Sequence, residues 1–173
     1  DEEAETPPGE TNTIDDFYCG GYGNDIFKSG DGNDIIIGDV GSVYYFGDDV
    51  LLGGRGNDIL QAGYGADTFE FRSGDGNDVI GRVDLDALMS SWPDDIADVQ
   101  MLAMADFEIG IDTIKLLNFG SVNNAASLQA ALGNGTMSIS NNSDGNAVFD
   151  SGNGRITLIG IDASDLTVDH FEF

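Results

Sequence analysis

From Gly20 to Gly81 the chain switches every nine residues between a glycine-rich polar stretch and a short apolar one. Gly20 to Lys28 read GGYGNDIFK, Ser29 to Ile37 SGDGNDIII, Gly53 to Gln61 GGRGNDILQ, Ala62 to Glu70 AGYGADTFE and Ser73 to Gly81 SGDGNDVIG. The 15 residues between Ile37 and Gly53 end in GDDVLL and fit one more unit, whose turn carries a six-residue insertion. Upstream, TNTIDDFYC from Thr11 to Cys19 keeps the Asp and the apolar half without the glycines. In all seven units the sixth position is Asp (Asp16, Asp25, Asp34, Asp49, Asp58, Asp67, Asp78) and the eighth is large and apolar (Tyr18, Phe27, Ile36, Leu51, Leu60, Phe69, Ile80).

Each unit divides into a turn, where glycines supply positive φ, and a strand of about three residues. Side chains alternate along a strand, so the eighth residue points inward while the seventh and ninth point out. Two units make one coil, and coils stacked about 4.8 Å apart form a right-handed parallel β-roll about 17 Å long. Stacking predicts Asp25 beside Asp49, Asp34 beside Asp58 and Asp49 beside Asp67. The seventh residues form two outer stripes, Ile26, Val50 and Thr68 on one face and Phe17, Ile35, Ile59 and Val79 on the other. Either these are solvated strand positions, or the Phe17 to Val79 stripe is covered by a later segment.

The period stops after residue 81. Residues 1–10, DEEAETPPGE, read as an acidic linker. Residues 82–105 read as an insertion in which Asp94 to Met104 set Ile96, Val99, Met101, Leu102 and Met104 on one side of a short packing helix. Residues 106–173 read as a compact β-rich cap. It contains DFEIGIDTIKL, an Asn-capped helix around Ala125 to Leu132, and strands near Met137 to Ser140, Asn146 to Asp150 and Arg155 to Ile159.

Composition changes this picture in one direction. With 32 acidic against 6 basic residues and a formal net charge of −26, the chain lacks the Lys and Arg that phosphate recognition requires, which excludes a general nucleic-acid binder. The same imbalance is the composition of disorder, but 40% apolar residues and phased Asp and aromatic positions argue against it for residues 11–81. The acidic residues are 25 Asp and only 7 Glu, matched by 25 Gly. No apolar run is long enough to span a membrane. Cys19 is alone and forms no internal disulfide. The chain starts at Asp1 without an apolar leader, as expected of a processed product or an excised fragment.

Stacked carboxylates repel unless a cation lies between them. Carboxylates plus the carbonyls exposed by glycine turns make an all-oxygen donor set, which suits Ca²⁺ with its six or more ligands near 2.4 Å. Mg²⁺ prefers tight octahedra with retained water, and zinc prefers Cys or His, of which there is one each. An EF-hand loop does not fit, because Ile35 and Val79 stand four residues after Asp31 and Asp75, where that loop needs Asp or Asn.

The units GGYGNDIFK, SGDGNDIII, GGRGNDILQ and AGYGADTFE resemble the GGxGxDxUx nonapeptide of the RTX (repeats-in-toxin) calcium-binding β-roll. The resemblance implies ions between turns two units apart, held by the sixth-position Asp residues and by turn carbonyls. Those carbonyls belong to Gly20, Gly21, Tyr22 and Gly23; Gly30, Asp31 and Gly32; Gly53, Gly54, Arg55 and Gly56; Ala62, Gly63, Tyr64 and Gly65; and Gly74, Asp75 and Gly76. Five stacked pairs imply about four to six ions. Two departures stand out: the Thr11 to Cys19 unit lacks glycines, leaving the site at Asp16 incomplete, and the insertion from Gly38 to Val43 threatens the turn before Asp49.

Beyond the repeats, DFEIGIDTI and the terminal Asp169-His170-Phe171-Glu172-Phe173 resemble the C-terminal region of serralysin-type proteases and other type I secreted proteins, with residues 82–105 as an insertion and Glu172 interrupting the terminal apolar run. The resemblance implies a bacterial, secreted, extracellular module exported by a type I secretion apparatus, with any catalytic domain upstream. No catalytic constellation is legible: His170 is the only histidine, HExxH is absent, and repeat phasing assigns the Asp pairs to metal rather than to glycoside hydrolysis. The alternative is a polysaccharide-binding or adhesive module organised by calcium. An anionic surface disfavours an anionic polymer unless calcium bridges or Arg55, Arg72 and Arg82 cluster.

Overall fold

The computed structural model describes residues 4–5, 15–40, 47–90, 99–102 and 105–173. In chain order the strands are β1 (Ala4–Glu5), β2 (Phe17–Gly21), β3 (Ile26–Asp31), β4 (Ile35–Asp39), β5 (Val50–Arg55), β6 (Ile59–Gln61), β7 (Thr68–Arg72), β8 (Asn77–Ile80), β9 (Thr113–Leu117), β10 (Ser138–Asn141), β11 (Ala147–Asp150), β12 (Arg155–Leu158) and β13 (Phe171–Glu172). The helices are α1 (Leu85–Ser90) and α2 (Ala125–Asn134).

Successive repeat strands alternate between two sheets. One runs β1-β3-β5-β7-β9-β13 and the other β10-β11-β12-β8-β6-β4-β2, so odd and even units stack apart as a two-unit coil requires. All pairings are parallel except the hairpin edges β10–β11 and β11–β12. Eighth residues lie in register, Phe27 with Leu51 and Phe69 in one sheet, Tyr18 with Ile36, Leu60 and Ile80 in the other. They form the interior: Ile36, Leu51, Leu60, Phe69 and Ile80 are fully buried.

The roll does not end with the repeats. Thr113–Leu117 continues one sheet, with Ile114 beside Phe69, and Arg155–Leu158 continues the other, with Leu158 beside Ile80. Ile114 and Leu158 are fully buried, and the C-terminal region extends both sheets, with β9 and β13 on one and β12, β11 and β10 on the other. The segment 151–159, SGNGRITLI, is thus a repeat-like unit with Ile156 in the sixth position. α2 is held by a reciprocal Asn124–Ser127 capping box and ends at Gly135 in the left-handed conformation. Its Leu128 and Ala131 pack with Phe107, Phe149, Leu166 and Phe171 over the end of the core.

The outer stripe of β4 and β6 is covered. Ile35, Ile37 and Ile59 form a second buried cluster with Val83 and Leu88, against which Val40, Val79, Leu85, Val99 and Met101 pack. The segment after the repeats supplies that cover, anchored where Val83 N–H donates to the buried Gln61 Oε1 at 2.8 Å. On the opposite face Ile26 is 44% exposed. The helix expected over Asp94 to Met104 is not found in its described part. Residues 99–102 run extended, Met101 bridging antiparallel to Val83 and Leu102 N–H donating to Arg82 O, and the helix is instead α1. Residues 94–98 and 103–104 lie outside the described residues. Within the stretch read as a linker, Ala4–Glu5 pairs in parallel with Phe27 and Lys28.

Candidate metal centre

The sixth-position aspartates form two ladders, one on each edge of the roll. On one edge Asp25 N–H donates to Asp49 Oδ1 at 2.9 Å, Asp49 N–H to Asp67 Oδ1 at 2.8 Å, and Asp67 N–H to Asp112 Oδ1 at 3.0 Å. On the other Asp16 N–H donates to Asp34 Oδ1 at 2.8 Å, Asp34 N–H to Asp58 Oδ1 at 2.8 Å, and Asp58 N–H to Asp78 Oδ1 at 3.0 Å. The neighbours expected from the repeat phase are therefore neighbours. The insertion before Asp49 leaves its ladder intact; residues 41–46 lie outside the described residues.

A second ladder runs the opposite way at the fifth position. The side chains of Asp15, Asn24, Asn33, Asp48 and Asn57 accept from the backbone N–H of Asn33, Asp48, Asn57, Ala66 and Asn77, respectively. Each turn is thus tied to the next coil by one short side chain pointing up and another pointing down. Glu would overreach both bonds, which accounts for the excess of Asp over Glu.

One oxygen of each Asp is used by the ladder; the other is not. Oδ2 of Asp25, Asp34, Asp49, Asp58 and Asp67 is buried without a hydrogen-bond partner. Such oxygens cost several kcal/mol each as anions unless a positive charge meets them. Burial accordingly pushes Asp49 and Asp58 up to about 7 and Asp67 up to about 8, and neighbouring carboxylates add to the rise. Asp34 is raised for the same reason. These Oδ2 atoms lie over the first residue of the turn, where a Cβ on Gly20, Gly38 or Gly53 would collide with Asp25, Asp49 or Asp58. Carbonyls of the next coil are close by: a Cβ on Gly20 would sit 3.0 Å from Gly38 O, and one on Gly38 2.7 Å from Ala62 O.

Turn carbonyls stack along the edges. Arg55, Tyr64 and Asp75 O accept from Gly32, Gly47 and Gly56 N–H of the preceding coil, leaving each a second lone pair. The carbonyls of Gly30 and Gly32 point at Gly54 and Gly56, and those of Gly47 and Gly56 at Gly65 and Gly76, all at positive φ. Gly21, Gly23, Gly63 and Gly74 share that left-handed conformation. No group of three or more His, Cys, Asp or Glu side chains converges among the described residues. The donor set is therefore one or two carboxylate oxygens with backbone carbonyls, a hard-oxygen set that fits Ca²⁺.

The ends of the ladders differ. Asp16 offers its N–H, but Tyr18 OH donates to its Oδ2 at 3.2 Å, and that oxygen is not among the unpartnered ones. Asp78 is buried and pushed up to about 8 by burial and by Asp58, yet the next coil offers Ile156 in register with it, so that ladder stops. Three acidic residues outside the repeat alignment enter the edges. Asp112 accepts from Asp67 N–H, and Asp106 Oδ2 accepts from Ala62 N–H at 2.7 Å, while Asp106 Oδ1 is buried and unpartnered with Arg82 Nε 3.9 Å away. Asp39 is the third. The signal for the first two was present: DFEIGID sets two Asp around a glycine turn just before an apolar strand.

Arg55, Arg72 and Arg82 do not gather in one patch. Burial raises the carboxyl of Asp75, and Arg72 and Arg55 beside it offset part of that rise, whereas Arg82 stacks over the Tyr64 ring at 4.9 Å on the other edge. His170 ends a short 3₁₀ turn with its ring edge-on to Phe107. Among the described residues no helix is long and apolar enough to cross a membrane.

A family model for the RTX calcium-binding nonapeptide repeat (4 copies) matches residues 12–42 and 45–80. No curated protein matches the chain. The fold is similar to the solution structure of the AlgE6R3 subunit from the Azotobacter vinelandii mannuronan C5-epimerase, with 24% identity and a TM-score of 0.55 over 98% of this chain and 86% of that one. Repeat match, parallel roll and carboxylate ladders together make residues 12–80 an RTX calcium-binding β-roll.

Proposed function

We propose that this roll is a calcium-dependent folding module, exported through a type I channel as the C-terminal part of a larger secreted protein. The five ladder aspartates whose Oδ2 is buried and unpartnered carry the reading. Asp25 and Asp49 with the Gly38 and Ala62 carbonyls, Asp67 with Asp106, and Asp34 and Asp58 with the carbonyls from Gly53 to Gly56 and Gly74 to Gly76 hold about five ions. At low calcium, stacked carboxylates oppose closure of the coils. At millimolar external calcium, ion binding supplies the folding free energy. The chain would thus stay extended for export and become rigid outside, without a disulfide. Circular dichroism in chelator should show a largely disordered chain, and calcium should restore β structure cooperatively. A fully ordered β-roll in chelator overturns the reading.

A second reading is a module that binds an acidic polysaccharide through edge calcium. It is favoured by the fold likeness to a subunit of a mannuronan epimerase and by Tyr22, 66% exposed on an ion-bearing edge. Pull-down on alginate with and without calcium separates the two, since a folding module alone is not retained in either condition.

A further inference from the structure

The cap turn 151–154 stacks on the last repeat turn, 73–78, as one repeat turn stacks on another. Arg155 N–H donates to Gly76 O at 2.8 Å, and Asn153 Nδ2 donates to Ser73 Oγ at 3.2 Å. A Cβ on Gly154 would lie 2.8 Å from Gly76 O, just as one on Gly76 would meet Gly56 O. Asp75, Asp78, Ser151 and Gly154 line a small cavity here, with room for about one water-sized sphere. Asp78 is 3% exposed. Its Oδ1 accepts from Asp58 N–H at 3.0 Å, and its Oδ2 has no hydrogen-bond partner among the described residues. Arg72 and Arg155 also border the cavity, but no Lys or Arg among the described residues forms an ion pair with Asp78; Arg155 Nε is taken by Asp150 Oδ2 at 2.7 Å.

The tie to Asp58 accounts for one oxygen of Asp78 and leaves the other buried without a partner, because the next coil holds Ile156 in register with it. Asp75 stands outside the ladder. Its Oδ2 caps its own turn, accepting from Arg72 N–H at 2.6 Å, and its charge adds to that of Asp78 at the same cavity. The space is too small for a sugar ring or another organic ligand, and two carboxylates around it call for a positive charge. We propose that Asp78 and Asp75, with carbonyls of turn 151–154, hold a divalent cation between the last repeat and the cap. This rests on the calcium reading above and extends it from the roll to the C-terminal region. Asp75 shares its charge with Arg72 and Arg55, so this site binds more weakly than those between paired ladder aspartates and fills last. An ion here fastens the cap turn to a roll that has already formed.

Calcium titration of the full chain, followed by backbone amide signals, tests this with Asp75→Asn and Asp78→Asn. Asn keeps an oxygen for the Arg72 or Asp58 N–H and removes the charge, and Asp75→Asn leaves every ladder carboxylate in place. In the unsubstituted chain the Gly152 and Gly154 signals should go on shifting at calcium about tenfold above the midpoint of Gly38, on the opposite edge. In both variants that late shift should move up a further tenfold or vanish, while Gly38 keeps its midpoint. If Gly152 and Gly154 follow Gly38 in all three chains, the cavity holds water, Asp78 serves only to tie the coils, and the proposal is overturned. If calcium moves neither Gly38 nor Gly152 in any of them, the calcium reading itself fails and the proposal with it.

Discussion

The backbone N–H of Asp49 donates to Oδ1 of Asp67 at 2.8 Å, while Oδ2 of Asp67 is buried with no partner. One carboxylate thus does two separable jobs, tying coils together and presenting a charge. Asp67→Asn keeps an oxygen for the Asp49 N–H and removes the charge. It should weaken calcium binding on this edge about tenfold and, in chelator, lower the osmolyte concentration needed to fold the chain. Asp67→Ala removes both functions and should impair folding in either condition. Osmolyte titration by circular dichroism, with and without calcium, checks the contrast.

Acidity should act oppositely on the two states. Burial lifts Asp49 and Asp58 to about 7 and Asp67 and Asp78 to about 8, above the value near 4 of an unfolded chain. Between about pH 4 and 8 the metal-free fold therefore binds more protons than the unfolded chain, and its stability falls as pH rises through that window. In chelator, lowering pH from 8 to 5 should restore β signal. Calcium displaces those protons, so its affinity should rise over the same interval. Calorimetry at pH 6 in buffers of different ionisation enthalpy should register proton release that vanishes by pH 9.

What the sequence revealed followed from repetition. Seven copies of Asp six places into a unit set the ladder register before any coordinate, and the eighth residues named the core. Where a unit occurs once, the signal fails: SGNGRITLI reads as a strand with a turn before it, because Ile156 replaces the Asp that marks a repeat. Asp106 and Asp112 enter the edge from DFEIGID, which sets Asp around a glycine turn but stands once and outside the nine-residue phase. Residues 99–102, the described part of the stretch expected to be helical, are extended because apolar spacing there also fits a run pressed on an apolar sheet face. There Val99 and Met101 pack as alternate residues of one strand-like run, and packing rather than helical periodicity decides the conformation.

Glycine is required in the turns for two reasons at once, and substitution should separate them from ordinary helix effects. Gly56 has φ +143°, and a Cβ there would collide with Gly32 O. Gly56→Ala should cost about 3 kcal/mol or more in the calcium-loaded protein. Gly133, inside α2, meets nothing within 4 Å, and Gly133→Ala should stabilise by about 0.5 kcal/mol. Urea denaturation in saturating calcium measures both.

The covered and open faces of the roll make a last comparison, between residues with the same place in the repeat. Ile59 is 6% exposed under the cover of Val83, Leu88, Val99 and Met101, whereas Ile26, also a seventh residue, is 44% exposed. Ile59→Thr should destabilise the calcium-loaded protein by about 2 kcal/mol, and adding Ile35→Thr should deepen the loss, because both place a hydroxyl against Val83 and Leu88. Ile26→Thr should change stability by less than about 0.5 kcal/mol. The cover also predicts a local readout: hydrogen exchange at Val83, whose N–H is held by Gln61, should accelerate in the Ile35/Ile59 variant before the roll itself opens. Equal effects of substitution on the two faces would mean that the segment after the repeats does not stabilise the sheet it lies on.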